Sequence, residues 1–159
     1  MADSEGGRWT VFQRRMDGTV NFYRGWDQYK TGFGSPAGEY WLGLEKIHQL
    51  TLNRQSELLV QMEDFEGKKV FARYSSFSAR LGVRGIPTDC FWIHLWRSRR
   101  LLTRRHNGQK FSTFDNDQDT LPLNCARSFL GRVPVQRLSS YKSKWRLSLG
   151  ADSTLYALE

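Results

Sequence analysis

Two neighbouring segments set the terms on which this chain can fold. Residues 56–65 (SELLVQMEDF) and 69–77 (KVFARYSSF) alternate apolar and polar side chains around a Glu66-Gly67 turn. A period of two buries one face of an extended strand and wets the other, and a helix cannot use it. The pair therefore predicts a strand hairpin. Immediately upstream the period changes. Tyr40, Trp41, Leu44, Ile47, His48 and Leu50 fall at helical spacing, which predicts an amphipathic helix over residues 39–50. Residues 8–15 (RWTVFQRR) alternate again, and the Met16-Asp17-Gly18 turn followed by residues 19–23 predicts a second hairpin. Residues 26–30 read as a single helical turn, closed by Gly32-Phe33-Gly34 and Ser35-Pro36. No internal repeat or low-complexity linker interrupts the chain, so one domain over residues 1–159 is expected, long enough to bury a core.

Beyond Phe77 the agreement between pattern and period fails in two places. Residues 79–105 carry seven Arg and one Asp, and residues 132–148 carry three Arg, two Lys and no acid. These stretches hold net charges of +6 and +5 in a chain whose total is +8, so the rest of the protein is net −3. Neither stretch keeps a clean period of two or of 3.6, whereas natural sequences usually agree with themselves at every level. Order returns over residues 106–131 and again over 150–156.

The basic stretches invite a nucleic-acid reading, since Arg97, Arg99, Arg100, Arg104 and Arg105 stand beside Trp92 and Trp96. Lys142, Lys144, Trp145 and Arg146 repeat the theme weakly. No nucleic-acid-binding fold motif accompanies them, and no glycine-rich phosphate loop is present, so a basic nucleic-acid binder ranks last. Cys90 and His94 lack further ligands at zinc-site spacing, and His48 and His106 have no acidic orienter in view. No enzymatic role is expected. No apolar run approaches the ~18 residues of a membrane span, and residues 1–7 lack the apolar core of a secretory leader.

The sharpest chemical signal is Asp115-Asn116-Asp117-Gln118-Asp119. Carboxylates at alternate loop positions converge oxygens on one hard cation, which suits calcium and its six to eight oxygen ligands. The segment is not an EF-hand, because Thr120 and Ala126 stand where that loop needs Gly and Glu. A solvated acidic turn fits the same spacing equally well.

Long motifs in order resemble the fibrinogen-like (fibrinogen C-terminal) domain family. They run from Gly7-Arg8-Trp9-Thr10-Val11-Phe12-Gln13-Arg14-Arg15 through Asp17-Gly18 and Asn21-Phe22-Tyr23-Arg24. Gly38-Glu39-Tyr40-Trp41-Leu42-Gly43-Leu44, Ile47-His48 and Asp64-Phe65-Glu66 follow. Phe111-Ser112-Thr113, the aspartates and Asn124-Cys125-Ala126 resemble the family's calcium segment, and Gly150-Ala151-Asp152 fits a later piece. Residues 6–78 and 106–131 match well, and residues 79–105 and 132–148 do not. The resemblance implies an α+β fold: a mixed or antiparallel sheet with short helices, here incomplete.

It also implies calcium (Ca2+) held by the carboxylates of Asp117 and Asp119 and the backbone carbonyls of Leu121 and Leu123, with Asp115 supporting the loop. Cys125 resembles the first half of a disulfide whose partner lies in a segment that also builds an acetyl-sugar pocket. Arg137-Leu138-Ser139 and their neighbours replace that segment, so the partner cysteine is absent and sugar binding is expected to be impaired. The implied function is a secreted, calcium-stabilised recognition module of matrix or innate defence that binds acetylated glycans. The alternative is a structural module that binds extracellular matrix proteins without a sugar pocket. The implied location is extracellular, with oligomeric assembly left open. Against the family, the chain is expected to be a partial domain that starts after the first disulfide and ends before the Trp-rich closing segment.

Both aberrant stretches make family sense when read one nucleotide out of frame. From Gly82 to Leu102 the shifted codons can spell ESEGYRLTVSGYTSGGAGDSL, and from Val135 to Leu147 they can spell YNDCHRTNPNGVY. Degeneracy leaves most positions free, but Trp92-Ile93 and Trp145-Arg146 yield Gly whichever synonym is used. Pro134-Val135 cannot encode the Trp often found there. Paired insertions or deletions in the underlying gene or its assembly are therefore expected.

Overall fold

The computed structural model describes residues 9–63, 67–81, 91–96, 109–119, 122–128 and 152–158. Among them lie eight strands and three helices. In chain order these are β1 (Trp9–Arg15), α1 (Trp26–Thr31), β2 (Phe33–Gly34), β3 (Tyr40–Trp41), α2 (Leu44–Leu52), β4 (Ser56–Glu63), β5 (Lys69–Leu81), β6 (Phe91–Trp96), β7 (Gln109–Lys110), α3 (Cys125–Ser128) and β8 (Asp152–Leu158). All strand pairs are antiparallel, in the order β2-β3-β1-β8-β4-β5-β6-β7. Strands and short helices combine as the α+β expectation requires.

The hairpin read from residues 56–77 forms as β4 and β5, with Leu58 opposite Tyr74 and Met62 opposite Val70. Strand β5 runs on to Leu81, past the predicted end, and pairs with β6. Phe91–Trp96 (FWIHLW) thus joins the sheet although it lies in the first aberrant stretch. Its aromatic and β-branched residues suit a strand whatever their origin.

Two expectations are corrected. Residues 19–23 do not return as a strand beside β1, which pairs instead with β3 and β8. The cause is the carboxylate of Glu39, which is 3% exposed and accepts four backbone N–H groups of the turn. Met16, Asp17 and Gly18 donate to Oε1 at 2.6, 3.2 and 3.0 Å, and Val20 donates to Oε2 at 2.8 Å. These donors are spent on a side chain, so they do not build a hairpin ladder. Burial alone would raise the Glu39 pKa, but the N–H groups of Val20, Met16 and Gly18 outweigh it and hold the carboxyl below its ordinary value.

The second correction concerns the helix predicted over residues 39–50. Tyr40–Trp41 form β3, and α2 starts only at Leu44. Gly43, at φ 108°, makes the break. A β-carbon there would lie 2.7 Å from the backbone carbonyl of Thr31, so only glycine lets the two helices approach this closely.

The core is aromatic. Phe12 stacks on Phe77 with centroids 5.5 Å apart and meets Trp41 edge-on at 6.0 Å. Leu44 and Ile47 bring α2 onto this cluster, together with Leu58 and Tyr74 from the hairpin. Polar atoms on α2 complete the docking. The Thr51 hydroxyl accepts the Ala79 N–H at 3.1 Å, and His48 Nδ1 donates to the Ala79 carbonyl at 2.7 Å.

Candidate functional site

The acidic segment is anchored at both ends before any carboxylate faces solvent. Phe111 is buried among Trp26, Tyr29 and Trp41, stacking on Trp41 with centroids 5.9 Å apart. Thr113 and Asn116 exchange backbone bonds of 3.0 and 3.3 Å, which closes the turn. The Gln118 N–H donates to Ser112 Oγ at 3.0 Å. At the far end Asn124 reaches back, its amide donating to the carbonyls of Thr113 and Phe114 at 3.1 and 3.3 Å. Its oxygen accepts the Arg127 N–H at 2.8 Å, which is an N-cap on α3.

The three aspartates of this turn make different contacts. Asp115 is exposed, yet its carboxylate is engaged, accepting the Trp26 N–H at 2.9 and 3.1 Å and the Thr113 hydroxyl at 2.6 Å. Asp117 is exposed, and its Oδ1 accepts the Asp119 N–H at 3.2 Å in an Asx turn. Asp119 is half-buried. Every side-chain donor offered by Asp117 and Asp119 is oxygen, which fits a hard cation such as calcium. No group of three or more His, Cys, Asp or Glu side chains suited to a metal occurs among the described residues. A cation here would rest on two carboxylates supplemented by backbone carbonyls.

Of the other residues singled out from sequence, Leu123 is 73% exposed, while Leu121 lies outside the described residues. Cys125 opens α3. Cys90, His106, Arg97, Arg99, Arg100, Arg104 and Arg105 lie outside the described residues, as do Arg137, Leu138, Ser139, Lys142, Lys144, Trp145 and Arg146. Trp92, His94 and Trp96 fall on β6. His48 belongs to the packing of α2 on β5.

Three further residues shape the loop through contacts that their sequence motifs do not specify. Tyr23 stacks on Phe114 with centroids 4.6 Å apart. The Trp26 amide holds Asp115 from 89 residues away in sequence, and Asn124 ties α3 to the turn. Only Asn124, a capping residue type just before a helix, carries a sequence signal for its role.

The family profile described as "Fibrinogen beta and gamma chains, C-terminal globular domain" matches residues 1–140. Microfibril-associated glycoprotein 4 of Bos taurus is 48% identical over 128 residues, covering 77% of this chain and 50% of that protein. Angiopoietin-related protein 2 of Homo sapiens is 48% identical over 130 residues, covering 76% of this chain and 24% of that protein. Among solved structures, the fibrinogen-like globe domain of human ANGPTL2 superposes with a TM-score of 0.79 at 35% identity, covering 98% of this chain and 82% of that one. The chain spans about half the length of the microfibril-associated glycoprotein relatives it matches.

Proposed function

Because this chain belongs to the family of fibrinogen C-terminal globular domains, with its antiparallel sheet and short helices, we propose that it is an extracellular recognition module stabilised by calcium. The family is not enzymatic. The single observation that carries the calcium reading is the loop at residues 111–119. It commits the Asp115 carboxylate to the Trp26 N–H and the Thr113 hydroxyl and places the carboxylates of Asp117 and Asp119 two residues apart on the same turn. When bound, calcium supplies a divalent charge that neutralises the acidic turn. Asp117 and Asp119 would hold it, with the carbonyls of Leu121 and Leu123 completing the set.

Acetylated glycans or matrix proteins are the ligand classes, and the protein is secreted. The altered text of residues 132–148, where the acetyl-sugar pocket and the partner of Cys125 are expected, weakens the glycan arm. Likeness to a microfibril-associated glycoprotein favours the matrix arm. Retention on an N-acetylated resin and on microfibril-rich matrix, each with calcium and with chelator, tests the proposal. Calcium-dependent matrix binding with reduced retention on the resin is the expected result. Binding to neither support, or binding unchanged by chelator, would overturn it.

A further inference from the structure

The acidic loop and helix α1 meet at a point where an added side chain and the Asp115 carboxylate would claim the same space. Trp26 is the first residue of α1, and its N–H points at the Asp115 carboxylate, which it meets at 2.9 and 3.1 Å. The residue before it is Gly25. A β-carbon built on Gly25 would overlap Asp115 Oδ2 and lie 3.2 Å from Cγ. Gly25 has a φ of −76°, open to any L-residue, so its backbone conformation does not call for glycine. Space does. The same carboxylate takes the hydroxyl of Thr113, itself 2% exposed.

A second contact ties the segment before α1 to the loop. Tyr23 stacks on Phe114, the neighbour of Asp115, with an interplanar angle of 29°. On α1 itself, Trp26 and Tyr29 pack on Phe111 at the loop's other end. Residues 23–29 therefore grip residues 111–115 by aromatic contacts at both ends, stacked at Tyr23 and tilted at Trp26 and Tyr29, and by the Asp115 bond between them.

We propose that Asp115 is a positioning residue through which calcium occupancy and the docking of α1 form one linked equilibrium, with Gly25 the residue whose missing side chain permits the clamp. This rests on the calcium reading of Asp117 and Asp119. Asp115 does not touch the ion in this scheme; it holds the turn that presents the two ligands. A displaced Asp115 costs the loop its anchor, and loss of an outer-shell partner typically weakens metal binding by ~10–100-fold. By reciprocity, calcium draws the loop tighter onto α1 and slows opening of the Trp26 amide.

The test measures calcium affinity by calorimetry and Trp26 amide exchange by NMR in the wild-type chain and in Gly25→Ala, Asp115→Asn and Asp117→Ala. Gly25→Ala should weaken calcium by about tenfold or more. Asp115→Asn keeps one acceptor oxygen without its charge, leaves the Gly25 contact unstrained, and should weaken calcium less. In the wild type, calcium should slow exchange at Trp26, and Asp117→Ala should remove both binding and that slowing. If the wild type binds calcium and Asp117→Ala abolishes binding, but Trp26 exchange is indifferent to calcium and Asp115→Asn keeps full affinity, the clamp is refuted while the calcium reading stands. If the wild type binds no calcium, both fall. If Gly25→Ala does not fold, the Asp115→Asn affinity and the wild-type exchange decide alone.

Discussion

Replacing Glu39 by glutamine exchanges one oxygen for an amide nitrogen and removes one charge at a site that is 3% exposed. In the better of its two orientations, the new side chain keeps a carbonyl on the N–H groups of Met16, Asp17 and Gly18. Its NH2 then faces the Val20 N–H across a gap that is 2.8 Å in the wild type, donor against donor. One unpaired N–H in a buried setting costs about 1–3 kcal/mol, and the surviving bonds lose their charge assistance, roughly 1 kcal/mol for the better ones. The relief of burying a neutral group returns part of this. A net loss of about 3 kcal/mol is expected, a large share of the ~5–15 kcal/mol that holds an ordinary domain together. At about 2–4 °C per kcal/mol for a chain of this size, Tm should fall by ~6–12 °C at neutral pH.

The pH dependence sharpens the test. The folded Glu39 carboxyl titrates below its ordinary value of 4.5, so this site's stabilisation is fully present above that value. As pH falls below it, the unfolded chain takes up a proton that the folded chain refuses, and wild-type stability declines. Glutamine has no such proton to gain. The Tm gap between wild type and E39Q should therefore be widest near pH 7 and narrow as pH falls below about 4.5. Calorimetric melts at pH 7 and across the acid range supply the measurement. A gap within error of zero at pH 7, or one that stays constant into acid, would refute the role given to this carboxylate.

Other outcomes follow from the same packing. Thr51→Val removes the acceptor of the Ala79 N–H and should cost about 1–3 kcal/mol, read as a lower denaturant midpoint with an unchanged m-value. Phe12→Ala empties the ring between Trp41 and Phe77 and should cost about 3–5 kcal/mol in chemical denaturation. Sequencing the transcript across codons 78–106 and 131–150 should show codons that spell fibrinogen-domain text when shifted by one nucleotide. Codons that spell no such text would leave both basic stretches as authentic protein.

Family and loop were legible in the sequence because their signals are local. A period of two over residues 56–77 needs only neighbouring residues to declare itself, and so do the alternate carboxylates at Asp115, Asp117 and Asp119. The formal charge of +8 is a local fact too, divided between a −3 framework and two +11 stretches taken together. The failures came where a distant partner overrode a local pattern. Residues 16–20 carry the turn residues of a hairpin, yet the Glu39 carboxylate captured their N–H groups from about twenty residues away. Tyr40 and Trp41 keep helical spacing with Leu44, yet pairing with β1 drew them into a strand.

Short-range pattern thus determined which segments extend, which coil and which loop concentrates negative charge. Tertiary structure decided which aspartate is tied to α1, which glycine must stay bare and which strand lies beside β1. Each of those depends on a group far along the chain: Trp26 for Asp115, Thr31 for Gly43, and residues 152–158 for the place between β1 and β4. Backbone donors must find acceptors wherever the fold supplies them, and no window of sequence contains both halves of such a pair.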